Sequence, residues 1–89
     1  PMRIKGTDTI DYADSICIIF GGKCVKEYLS DERCLDYTFD ELLNDARENG
    51  YTGEGTILVV AESRLSGTVY RYGNYGPYWT KIGTTIGYA

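Results

Sequence analysis

The sequence predicts an α+β domain: an antiparallel sheet of four or five strands with one main helix, about residues 38–49, packed on one face. Three observations carry that expectation. Thr38 followed by Glu41 is a capping pattern, and it opens a short amphipathic stripe. Two strand-like runs, Ser15 to Phe20 and Lys23 to Leu29, flank the pair Gly21-Gly22, as in a hairpin. Thr68-Val69-Tyr70-Arg71-Tyr72 alternates as a strand does, with Thr68, Tyr70 and Tyr72 on one face and Val69 and Arg71 on the other.

Taken in order, Met2-Arg3-Ile4-Lys5 reads as a short edge strand. The stretch 6–14, with Asp8, Asp11 and Asp14, reads as a polar loop or helical turn. Ser15 to Phe20 and Lys23 to Leu29 make the two arms of the hairpin, the glycine pair supplying the positive φ of a primed turn. A rival helix runs through Ile10, Ala13, Ile16, Cys17 and Phe20, with Gly21 past its end; the hairpin is preferred. Residues 30–37 read as a connector.

The helix follows. Phe39, Leu42, Leu43 and Ala46 fall at i, i+3, i+4 and i+7, and Asn49-Gly50 ends it. At about 11 residues it is too short to stand alone, so its stripe must pack on the sheet. Residues 51–55 are a turn-rich connection. Ile57 to Ala61 is the best candidate for a central strand covered on both faces. After a turn at 65–67 and the strand 68–72 come a loop at 73–77, a strand at 78–82 and a last short one within 84–88.

With 89 residues the chain is expected to be a single domain, 1–89. Pro1, standing before Met2, is expected to be tag-derived. No signal peptide is read at the start, and no apolar run approaches the ~20 residues of a membrane span, so no membrane partner is expected. The odd count of three cysteines, Cys17, Cys24 and Cys34, argues for reduced structural thiols in a cytosolic setting. Histidine is absent, and the cysteine spacings are far from C-x-x-C. No metal site and no cofactor are expected, and histidine-dependent catalysis is excluded. Carboxylate pairs such as Asp8 with Asp11, or Asp36 with Asp40, are present, but nothing marks them as catalytic. The expectation is a protein without enzymatic activity.

Charge is divided along the chain. Residues 1–62 hold all 13 acids and six bases, and residues 63–89 hold three bases and no acid. The formal net charge is −4. An acidic surface suits a basic protein surface through complementarity, and argues against direct nucleic-acid binding. The densest acidic stretch is Asp31, Glu32, Asp36, Asp40, Glu41, Asp45 and Glu48. Glu41 and Asp45 are like charges at i, i+4, a small cost to the helix. The dipole accounts for Asp40 and Glu41 in the first turn, but not for Asp45 or Glu48. These seven residues are the expected partner-binding surface.

A second candidate surface is the aromatic, glycine-rich end: Tyr70, Arg71, Tyr72, Tyr75, Trp79 and Lys81. Tyrosine and tryptophan are enriched in binding hot spots, and aromatics with arginine stack on bases. This is the alternative site, one for a small nucleotide. A generic protein-interaction module is the remaining reading. Oligomeric state is left open by the sequence.

In its general character the chain resembles the small phage and mobile-element inhibitors of bacterial defence, of which anti-CRISPR proteins are the familiar example. The likeness lies in the short, acidic, cysteine-poor chain with nine tyrosines. It implies a cytoplasmic protein of a bacterial host that occupies the basic nucleic-acid-binding channel of a defence effector. Asp31, Glu32, Asp36, Asp40, Glu41, Asp45 and Glu48 would then stand in for phosphates. A charge of only −4 implies a compact plug with a few acidic anchors rather than an extended mimic.

Overall fold

Gly21 and Gly22 close the first hairpin with φ of +61° and +77°, which residues bearing a Cβ rarely adopt. In the computed structural model, which describes residues 1–6, 10–31, 33–74 and 78–86, they join β3 (Ser15–Phe20) to β4 (Lys23–Leu29). The rival helix over 10–20 is absent. That stretch is two strands, β2 (Ile10–Ala13) and β3, separated at Asp14. Asp14 fixes the corner: its N–H donates to the Glu62 carbonyl at 2.7 Å, and its carboxylate accepts from the Arg64 N–H at 2.7 Å.

The expected single sheet is corrected. Eight strands among the described residues form two sheets. A five-stranded antiparallel sheet runs β4-β3-β6-β7-β8, with β6 (Leu58–Ser63), β7 (Thr68–Asn74) and β8 (Trp79–Ile86). A second, mixed sheet runs β2-β1-β5, where β1 is Met2–Lys5 and β5 is Leu35–Thr38. β1 is its centre rather than an edge, antiparallel to β2 and parallel to β5. Both stretches read as loop and connector, 6–14 and 30–37, contain a strand of this sheet. The aspartates within the strands hid them, because Asp11 and Asp36 are neutralised by residues distant in sequence, Lys81 and Arg3. The stretches read as two strands, at 78–82 and within 84–88, are over their described residues the single strand β8, and 87–88 lie outside those residues. A register shift between Arg71 and Tyr72 absorbs the irregularity of β8.

The helix is α1 (Phe39–Glu48). Thr38 caps it as expected, its Oγ1 accepting from the Glu41 N–H at 3.2 Å. Asn49 and Gly50 end it, Gly50 at φ +113°. Leu42 and Ala46 are fully buried; Phe39 and Leu43 pack beside them.

The core lies between the inner face of the large sheet and a layer made of α1 and the small sheet. Ile16, Ile18, Val59 and Ala61 supply one side, and Met2, Ile4, Ala13, Leu42 and Ala46 the other. Large-sheet coverage is one-sided, which corrects the doubly covered central strand. Val59 and Ala61 are buried, whereas Leu58 and Val60 on the opposite face are half-buried and pack on nothing in the core. Cys17 and Cys24 lie on that same outer face and are joined as a disulfide. The expectation of three reduced thiols is therefore corrected: Cys34 is free and exposed. Two cysteines seven positions apart become neighbours because the hairpin folds back and a bulge at Val25 shifts its register. No helix of the described residues is long and apolar enough to cross a membrane.

Candidate functional site

Six of the seven acids expected to bind a partner lie among the described residues, and they divide into three groups. Asp31 and Asp36 are neutralised within the chain, Asp31 by a near neighbour and Asp36 by a distant strand. Asp31 accepts from the Arg33 N–H at 2.8 Å and from its guanidinium at 2.7 and 2.9 Å, and those bonds hold its carboxyl below the usual range. Asp36 lies on β5 beside Arg3 and Lys5 of β1. Both its oxygens accept from the Arg3 guanidinium, at 2.6 and 2.8 Å, and Lys5 Nζ stands 3.0 Å away. The Arg3 hydrogen bonds, then those of Lys5, hold the Asp36 carboxyl at about 2. The same pair raises Arg3 above its ordinary value.

Asp45 serves the fold. Its Oδ2 accepts from the Tyr28 hydroxyl at 2.5 Å, fastening α1 to β4. Burial first, and this bond second, push the Tyr28 hydroxyl well above the usual tyrosine range.

Asp40, Glu41 and Glu48 form the third group. All three are exposed on the outer side of α1 and meet no cation among the described residues. Asp40 and Glu41 gain from the positive end of the helix dipole, and Glu48 has no such support. Glu32 lies outside the described residues.

The aromatic set does not converge on one place. Tyr70, Tyr72 and Lys81 share the inner face of β7 and β8. Lys81 Nζ lies 4.8 Å from the Tyr70 ring centre and 5.6 Å from that of Tyr72. It also pairs with Asp11 of β2 at 2.9 Å. The Tyr72 hydroxyl donates to the same Asp11 oxygen. Tyr72 is 4% exposed, and burial is the main reason its hydroxyl is pushed above the usual range. These three polar groups satisfy one another and tie β2 to β7 and β8. Arg71 projects from the opposite, outer face, where its Nη1 donates to Thr85 Oγ1 at 2.9 Å. Tyr75 lies outside the described residues.

Trp79 is placed elsewhere again. Its ring stacks on Phe39 at 4.8 Å and 15°. Phe39, the first residue of α1, also meets Tyr72 at 5.2 Å. These contacts bring β8 to the start of the helix and form an open groove of about 390 Å³. Lys5, Thr38, Phe39, Asp40, Tyr78 and Trp79 line it. Tyr78 is 74% exposed.

The groove unites one residue from each candidate surface, Asp40 and Trp79. Sequence reasoning missed Lys5 as part of it, and assigned Phe39 to the core alone. No local pattern links position 5 to position 79. Chemically the groove offers one carboxylate and two accessible aromatic rings, a setting suited to a cationic side chain. Its one cation, Lys5, is already engaged by Asp36. No group of three or more metal-ligating side chains is found among the described residues. Comparison with protein-family models, with curated proteins and with solved structures gives no match.

Proposed function

We propose that this chain is a non-enzymatic protein-binding inhibitor, anti-CRISPR-like in kind, that docks α1 and the groove at its start onto a basic, nucleic-acid-binding protein surface. One observation carries the reading. Asp40, an acid of α1 without a cation partner among the described residues, opens into the same groove as the exposed ring of Tyr78 and the half-buried ring of Trp79. An arginine or lysine of the partner can pair with the carboxylate while lying against an aromatic face. Glu41 and Glu48 extend the negative surface along the helix, steering a basic partner and fixing its orientation. The effective acidic surface is smaller than the sequence stretch, since Asp31, Asp36 and Asp45 are engaged within the chain.

Trp79 is the only tryptophan, so its emission reports on the groove directly. An oligoarginine peptide is expected to change Trp79 fluorescence with a midpoint that weakens as salt rises. Asp40→Lys with Glu48→Lys should abolish the change, leaving Glu41 in place as the capping residue. A response that survives this double reversal overturns the proposal. In a bacterial lysate, a basic protein captured by the immobilised chain should elute with duplex DNA and be lost from the same variant.

A further inference from the structure

The outer face of the large sheet is a second surface, independent of α1. Strand register places its residues in rows across the sheet. One row reads Glu27 on β4, Cys17 on β3, Val60 on β6 and Arg71 on β7. The row on one side reads Leu29, Ser15, Glu62 and Val69; the row on the other places Ile19 beside Leu58. Cys17, Ile19, Leu58, Val60 and Val69 are half-buried and are not packed on the core. Among the described residues, the helix and the small sheet lie on the opposite side of this sheet.

We propose that this face binds a second copy of the chain, sheet against sheet, with Glu27 of each copy opposite the partner's Arg71. The pattern is self-complementary. A two-fold axis running along the strands, between β3 and β6, exchanges β3 with β6 and β4 with β7. It sets Cys17 against the partner's Val60, Ile19 against the partner's Leu58, Leu29 against the partner's Val69 and Ser15 against the partner's Glu62. The same operation brings Glu27 to the partner's Arg71, twice.

Within one copy these two charges are three strand spacings apart, about 14 Å, and do not pair. Glu27 meets no cation among the described residues, and Arg71 meets a hydroxyl rather than a carboxylate. Opposite charges therefore flank a central apolar strip, the arrangement of a desolvated centre with a charged rim. A purely acidic or purely basic partner would match only one flank; a second copy matches both. The four strands that the axis pairs span about 19 Å, and strands of six residues about 20 Å, a patch on the scale of a small, weakly associating dimer interface. Aligned packing at about −30° accommodates the twist of both sheets. α1 stays on the far side of each copy, so the dimer leaves both grooves open.

Sedimentation equilibrium between about 1 and about 200 µM, a range that brackets micromolar Kd values, tests the proposal. The wild-type chain is expected to reach twice the monomer mass. Glu27→Arg and Arg71→Glu should each weaken association at least tenfold, and the double variant E27R/R71E should restore it. Glu27 is exposed, so E27R keeps the fold, as its thermal unfolding curve will show. Wild-type protein that stays monomeric throughout overturns the proposal. So does a dimer indifferent to E27R, or a double variant no better than the singles. None of these outcomes depends on Asp40 or the groove.

Discussion

The Tyr28 hydroxyl donates to the Asp45 carboxylate at 2.5 Å and so joins an edge strand, β4, to the side of α1. Tyr28 is 8% exposed, and its ring lies 4.9 Å from that of Tyr37 on β5. The contact links the hairpin, the helix and the small sheet. It also changes what Asp45 is for: this carboxylate holds the helix down rather than meeting a partner.

Removing the contact should therefore cost stability and not binding. Tyr28→Phe and Asp45→Ala are each expected to lower unfolding free energy by about 1–2 kcal/mol, the scale of a charge-assisted hydrogen bond. Their effects should overlap in a double-mutant cycle, since both remove one interaction. Asp40→Ala and Glu48→Ala, exposed and unpaired, should stay within about 0.5 kcal/mol of wild type. Urea unfolding of wild type, the four single variants and the Tyr28→Phe/Asp45→Ala double variant checks this. Asp45→Ala as mild as Glu48→Ala would show the bond to be idle.

Asp36 predicts an acid limb in the stability curve. Its carboxyl titrates at about 2 in the fold against 3.8 for the unperturbed group, because Arg3 and then Lys5 hydrogen-bond the charged form. The unfolded chain therefore takes up this proton first. The stabilisation is whole above the unfolded value and is lost as pH falls through about 2. Circular dichroism between pH 5 and pH 2 should show unfolding steepen as the Arg3–Asp36 pair is lost. Asp36→Asn should be less stable at pH 6 and show a shallower limb. An unchanged limb in that variant would assign the acid sensitivity to other carboxylates.

Lys81 is expected to act as the counter-ion of the buried Asp11 rather than as a ligand contact. Asp11 has a side-chain exposure of 11% and depends on Lys81 and the Tyr72 hydroxyl. Lys81→Met leaves that carboxylate with one neutral donor. A loss of about 2–3 kcal/mol should follow, below the full cost of breaking a buried pair because Tyr72 remains. Replacing both ends, with Asp11→Leu and Lys81→Met together, should recover part of that loss. If the double variant is less stable than Lys81→Met alone, the pair is favourable in its own right.

How much was legible differs from element to element. α1 announced itself because its signals are local: Thr38 and Glu41 three apart, an apolar stripe at helical spacing, Asn49-Gly50 at the end. The β3–β4 hairpin did so through Gly21-Gly22, and the faces of β7 through its alternation. By contrast β2 and β5 were read as loops. Ile10-Asp11-Tyr12-Ala13 looks polar until Tyr72 and Lys81 arrive from sixty and seventy positions away. Leu35-Asp36-Tyr37-Thr38 becomes a strand only beside β1, with which it pairs in parallel.

The acidic stretch shows the same division. Its charge was plain from residues 31–48, but which of those charges remain for a partner was not. Sequence alone determined the helix, the hairpin turn, the alternating strand and the sign of the charge, since each depends on residues within one or two turns of chain. Tertiary structure decided the rest. It split the strands into two sheets, left one face of the larger sheet uncovered among the described residues, neutralised Asp36 and engaged Asp45. It also drew Asp40 and Trp79 into a single groove. Those outcomes depend on pairing between distant segments, and burial and neutralisation belong to the assembled layers rather than to any one stretch of sequence.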